Sequence, residues 1–203
     1  MSNVIRRRGF RIRRPMPNLC RVALIAATLI GTVPARAHEY WIAPSTYAAS
    51  PGDSVRVSAF VGTGFRGELK TFQQNRTMRL SVRGHIDQDL RPFGVDGSPV
   101  FTRFAAPDEG GYMIGYESSF YPIGFAADEF DRYLALEGLE GPLAERKAKP
   151  SLEPVRERYA RCSKTWVAGA KPDARRVFGS LGLTYELVPL SDPSRPGPIQ
   201  LRL

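Results

Sequence analysis

The chain predicts a mainly β, α+β protein: an antiparallel β-sandwich carrying two short helices. Short segments such as Ser54-Val55-Arg56-Val57-Ser58-Ala59-Phe60-Val61 and Met78-Arg79-Leu80-Ser81-Val82 alternate polar and apolar side chains. That is the period of strands with one buried face. Glycine-bearing turns separate the segments, and helical periodicity is confined to a stretch between about residues 127 and 163.

Taken in order, Tyr40–Ala43 is a short aromatic strand, and Pro44 through Pro51-Gly52-Asp53 is turn chemistry. Ser54–Val61 and Met78–Val82 follow as strands. Asp96-Gly97 turns the chain into Val100–Phe104, and Glu109-Gly110-Gly111 turns it into Tyr112–Tyr116. Successive short strands with such turns indicate the sandwich. Asp128 is expected to cap a helix through Glu137, with Phe130, Tyr133, Leu134 and Leu136 as its apolar stripe and Gly138 as its stop. Glu145–Pro150 reads as a solvated loop. Pro154 suits the first turn of a second helix running to about Ser163, with Val155, Tyr159 and Cys162 on one side. Thr165–Ala168 and Leu183–Leu187 are further strand candidates.

The front of the chain is different in kind. Seven arginines (Arg6, Arg7, Arg8, Arg11, Arg13, Arg14 and Arg21) precede the apolar run Val22–Gly31, and Ala35-Arg36-Ala37 follows. This is the charged region, apolar core and A-x-A cleavage site of an export signal. The apolar core falls well short of the roughly 20 residues that span a bilayer. A cleavable signal over residues 1–37 is therefore expected, with no stable transmembrane anchor afterwards. Arg7-Arg8-Gly9-Phe10 resembles a twin-arginine signal but lies far from the apolar run, and Met16 is an alternative start. The general secretory route to the periplasm is the preferred reading.

Removing that segment changes the charge argument. The whole chain has 29 Lys+Arg and 20 Asp+Glu, a net charge of +9, and a pI near 9.9. Eight of the arginines and no acids lie in residues 1–37, which leaves 21 basic against 20 acidic residues, or +1. The basic pI belongs to the expected leader, so nucleic-acid binding loses its main support.

Cleavage after Ala37 makes His38 the N-terminal residue, with an α-amine and an imidazole able to chelate one metal ion together. Any residue can also follow a cleavage site without such a role. The chain's other histidine stands in Gly84-His85-Ile86-Asp87-Gln88-Asp89, beside two carboxylates. His38, His85 and Asp87 form the metal set that the sequence offers, for Ni(II), Co(II) or Cu(II), with Zn(II) able to use the same donors. A solvated surface turn is the competing account of His85.

The inventory for catalysis is poor. Neither a G-x-S-x-G elbow nor an H-E-x-x-H pair occurs. Cys20 leaves with the signal. Cys162 is then alone, without an intrachain disulfide partner, and is expected to be buried on a helix face. Cations beside it in Tyr159-Ala160-Arg161-Cys162-Ser163-Lys164 would lower a thiol pKa, yet no histidine base is near in sequence. The glycine-rich Val61-Gly62-Thr63-Gly64-Phe65-Arg66-Gly67-Glu68 lacks a following helix and reads as a turn or loop rather than a phosphate cradle. Tyr40, Trp41, Phe60, Phe65 and Tyr112 suit either a sugar or peptide surface or the sandwich core. A non-enzymatic role is expected.

The order of Ala37-His38-Glu39-Tyr40-Trp41-Ile42, Pro51-Gly52-Asp53, Val61–Glu68, Phe130-Asp131-Arg132-Tyr133-Leu134, Glu137-Gly138-Leu139, Arg156–Arg161, Leu181-Gly182-Leu183 and Glu186-Leu187-Val188-Pro189 resembles a family of exported bacterial domains of unknown function. Members are sometimes labelled NikM-like components of nickel uptake. The resemblance implies a periplasmic β-rich protein associated with nickel or cobalt import, with an immunoglobulin- or transthyretin-like sandwich. Members usually continue into a second such β domain. The expected organisation is therefore a signal over 1–37, a sandwich domain over 38–191 with a helical insertion at about 127–163, and a linker with the start of a truncated second β domain over 192–203. The expected partners are a metal ion or an envelope transport component. The alternative is a metal-independent module that binds a glycan, a peptide or an envelope partner.

Overall fold

Val55, Val57 and Ala59 all project from one face of β2 (Ser54–Thr63) and are fully buried, while Arg56 between them is exposed. The alternation read in the sequence thus orients the longest strand, and one sheet assembles on it. In the computed structural model, which describes residues 38–85, 87–171, 173, 179–191 and 196–203, β1 (Glu39–Pro44) pairs antiparallel with β2 along one side. On the other side β2 holds β3 (Arg66–Lys70) with one half and β6 (Thr102–Ala105) with the other. The expected leader and residues 192–195 of the expected linker lie outside the described residues.

The second sheet runs β10 (Cys162–Val167), β7 (Tyr112–Ser118), β4 (Thr77–Arg83), β5 (Gln88–Asp89), all antiparallel. Its inner face contributes Leu80, Val82, Tyr112, Ile114, Tyr116 and Val167 to a core shared with Ile42, Val55, Val57, Ala59 and Phe104. Phe72, Leu90 and Phe101, from connecting segments, fill the same core. The sheets are laced at one edge. Ile42 donates its N–H to Ser163 Oγ at 3.2 Å, and Ala48 forms a parallel bridge with Ala168.

β7 is covered on both faces. Met113 and Gly115 point away from the main core, under Leu181, Leu183 and Trp166. A Cβ on Gly115 would lie 2.7 Å from Leu181 Cδ1, so any side chain there would push that methyl group aside. That loop is organised by one carboxylate. Glu186 accepts hydrogen bonds from the N–H groups of Leu181 (2.8 Å) and Gly182 (2.9 Å), from Ser180 Oγ (2.7 Å) and from Lys164 Nζ (2.9 Å). Burial alone would raise its pKa. The Leu181 N–H, Lys164 and Ser180 outweigh that and bring it down to about 2.

From the end of the second sheet the chain forms an arm. β8 (Tyr121–Phe125) pairs with β9 (Val155–Tyr159), and α1 (Ala127–Leu136) and α2 (Glu140–Ala148) lie between them in sequence. Phe125 packs its ring on Phe130 and Tyr133 of α1, and Arg146 of α2 reaches Asp131 at 2.6 Å.

The mainly β, two-helix sandwich stands, with corrections inside it. Residues 155–163, expected as a helix, are the β9–β10 segment, because backbone pairing with β8 and β7 outweighs a helical spacing of three apolar side chains. The second helix is instead α2, within which Glu145–Ala148 of the expected loop falls. Ala126, not Asp128, precedes α1, and Leu136 is exposed rather than part of a buried stripe. Residues 183–187 form part of the Glu186 loop, and β11 (Val188–Pro189) pairs with β12 (Leu201–Arg202). The terminal alternating segment thus folds back on the chain just before it.

Glu186→Ala is expected to lower stability by about 3 kcal/mol at neutral pH, because it strands Lys164, the Ser180 hydroxyl and the N–H groups of Leu181, Gly182 and Leu183. The carboxyl pKa is depressed on folding, so its contribution is full above about 4.5 and is lost as pH falls towards 2. Urea unfolding of both proteins from pH 7 to pH 3 checks this: the gap between them must shrink in acid.

Candidate functional site

Where the second sheet gives way to the arm, two cavities of about 300 and 310 Å³ share Tyr159 and Arg161 in their walls. Arg161 sits in the two-residue link between β9 and β10. Its backbone is fixed at both ends: the Arg161 N–H donates to Ser118 Oγ and its carbonyl accepts from the Ser118 N–H, both at 2.9 Å. Its half-buried guanidinium packs on the rings of Tyr159 (4.8 Å) and Tyr40 (5.6 Å). Among the described residues no carboxylate forms an ion pair with it.

The first cavity is a tyrosine box. Tyr40 stacks on Tyr116 and Tyr121 on Tyr159, each at 5.4 Å between ring centroids. The Tyr121–Tyr159 pair follows from register, since the two face each other across β8 and β9. Tyr40 is raised above the ordinary phenol range, by burial first and then by the neighbouring Tyr116. Burial pushes Tyr116 up to about 12, although hydrogen bonding with Tyr40 and Thr77 works the other way. Both phenols therefore stay protonated and can donate.

The second cavity has different chemistry. Exposed His38 opens it, and Tyr133, Glu137 and Glu157 line it. Tyr133 is raised by burial and then by Glu157 and Glu137, with Arg161 opposing them. These groups act on one another across a small space.

The three expected metal ligands do not gather. His38 lies at the arm end of the sandwich. His85 follows β4 at the opposite end, where its N–H donates to Asp108 Oδ2 at 3.1 Å and Asp87 pairs with Arg83 at 3.0 Å. Arg83 faces Met113, and five residues of β7, about 17 Å at the antiparallel rise, separate that position from Ser118. Among the described residues no three His, Cys, Asp or Glu side chains converge to hold a metal ion.

Cys162 is half-buried on a strand, and its thiol is pushed up by burial, which overturns the idea that adjacent cations activate it. Of the five aromatics weighed for a binding surface, Tyr112 is core and Tyr40 faces the tyrosine box. Trp41 stacks on Phe60 (5.5 Å) and meets Phe65 edge-on, away from the core. Phe65 is held at φ 55° in the β2–β3 turn, and its N–H donates to Glu39 Oε2. A Cβ on Gly67 would lie 2.8 Å from the Trp41 ring, so glycine there lets the indole lie against β3.

In the sequence Arg161 stands out only as a neighbour of Cys162 and as the end of the Arg156–Arg161 run. Its ring partners lie on β1 and β9, and the signal available in sequence was the density of tyrosine at positions 116, 121 and 159.

The chain belongs to the family described as a domain of unknown function, DUF4198, which matches residues 35–199. No curated protein and no solved structure matches it. Among the described residues no helix is long and apolar enough to cross a membrane.

Because the Tyr116 phenol is raised on folding, its contribution is full below the ordinary phenol range and is lost as pH climbs from about 10 towards 12. Tyr116→Phe should flatten that alkaline decline in stability. Thermal unfolding of both proteins from pH 8 to pH 11.5 checks the difference.

Proposed function

We propose that the protein is an exported, periplasmic, non-catalytic binding protein that handles a transition metal, nickel, cobalt or copper, with His38 as its primary ligand. The observation that carries this reading is that exposed His38 lines a cavity whose other charged walls are Glu137, Glu157 and Arg161, two carboxylates against one cation. Cleavage after Ala37 would add an α-amine to the imidazole there, and the two nitrogens close a chelate ring on one ion. A carboxylate from the cavity wall would supply a third donor. His85 and Asp87 belong to the far end of the sandwich and take no part in the proposed site. The family resemblance to nickel-uptake components supports the same direction. An envelope transport component is the proposed partner.

The decisive measurement is calorimetric titration of Ni(II) and Cu(II) into the protein beginning at His38, beside a version with one extra residue before it. The extension blocks the amine without touching the fold, and it is expected to weaken binding at least a hundredfold. Equal affinity, or no binding by either, would sink the amine chelate.

A second reading has its own support: Trp41, Phe60 and Phe65 form an aromatic corner on the outer face of the first sheet, and Phe65 is 77% exposed. Such a surface suits the apolar face of a sugar ring in a metal-independent glycan-binding module. Trp41→Ala should then abolish retention on a glycan array while leaving metal titration unchanged.

A further inference from the structure

Half-buried Arg161 forms no ion pair among the described residues, and a charge so placed is costly unless something compensates it. Contact with the rings of Tyr40 and Tyr159 supplies part of the compensation. Ring contacts use the face of the guanidinium, and its five N–H donors point outward in its plane. That edge is the part that recognises a carboxylate through two parallel hydrogen bonds.

The cavity beside it is built to match. Among the described residues no carboxylate lines the tyrosine box. Its polar walls include Arg161, Lys70, Gln73 and the protonated phenols of Tyr40 and Tyr116. Lys70 is paired with the outlying Glu68 at 3.1 Å, so Arg161 is the unpaired cation of the two. The remaining walls are the rings of Phe101, Tyr121 and Tyr159 with Val61 and Thr71, and a volume of about 300 Å³ stands at the small end of ligand pockets.

From this we infer that the tyrosine box is a binding site for a small ring-bearing organic carboxylate, with Arg161 clamping the carboxylate and the stacked tyrosines taking the ring. The site is separate from the proposed His38 chelate, and the inference does not depend on that reading. The shared chemistry, a ring with one carboxylate, fits an aromatic acid or a uronic acid.

The test is calorimetry at pH 7 on the protein with 4-hydroxybenzoate and galacturonate, each beside its uncharged amide. At least one acid is expected to bind ten or more times more tightly than its amide, and which acid binds identifies the source. Arg161→Gln should remove that preference and leave amide binding unchanged, whereas Arg161→Lys should restore only part of it. Lys70→Gln, at the box's ion-paired cation, should weaken acid binding less than Arg161→Gln. If Arg161→Gln does not fold, chemical-shift changes confined to the rings of Tyr40, Tyr116, Tyr121 and Tyr159 on adding the acid to the unaltered protein carry the test. Failure of both acids to bind, equal affinity for acid and amide, or shifts located elsewhere would overturn the assignment.

Discussion

The reciprocal hydrogen bonds between Ser118 and Arg161 are the constraint on which the rest of the site depends. They close the β7–β10 ladder where β8 and β9 begin. Between the pairs Glu117↔Cys162 and Tyr121↔Tyr159, one strand has three residues and the other two. An extra residue on one side of an antiparallel pair acts as a bulge does: it sharpens the local twist and re-aims a side chain. Here the re-aimed side chain is Arg161. Arg76 pins the longer side, accepting from the Ser119 N–H and donating to the Phe120 carbonyl. Ser118 is buried, so losing its hydroxyl would leave the Arg161 N–H unpaired at a cost of ~1–3 kcal/mol, more than the net worth of the bond itself.

That junction can be held to a fixed geometry because the strand leading to it is buried on both sides. Tyr112, Ile114 and Tyr116 anchor β7 in the main core, and Met113 is covered by the loop that Glu186 organises. The loop has no ladder of its own between Leu181 and Leu183, so one carboxylate serves as the acceptor that a neighbouring strand would otherwise supply. The site thus stands at the end of a strand buried on both faces, while its other walls come from the arm and from the first sheet.

Strands that bury one face were legible, and strands that depend on a particular partner were not. Ser54–Thr63 and Thr77–Arg83 announce themselves by alternation. Val155–Tyr159 alternates too, in its burial as well as its chemistry. Yet Val155, Tyr159 and Cys162 are also spaced like a helix face, and Pro154 suits a helix start. Pairing with β8 decides between the two periods, and β8 itself carries Pro122 and Gly124, two residues that weaken a strand pattern. Both are tolerated because β8 pairs with β9 alone, so one side of its backbone needs no ladder. For the site, His38 was legible through its position after the cleavage pattern. The box was not, because the meeting of residue 40 with residue 161 is a product of topology and no local spacing encodes it.

Two cavities that share a wall differ in the sign of the charge they welcome. Behind Tyr40 the walls offer cations and protonated phenols. Around His38 they include the carboxylates of Glu137 and Glu157. Like charges about 4 Å apart near a protein surface repel by ~4 kcal/mol, so carboxylates on one side only give the two cavities different preferences. Arg161 lines both cavities, so what distinguishes them is the pair Glu137 and Glu157, which lines only the His38 side. The common wall of Tyr159 and Arg161 keeps the two seats adjacent without merging them.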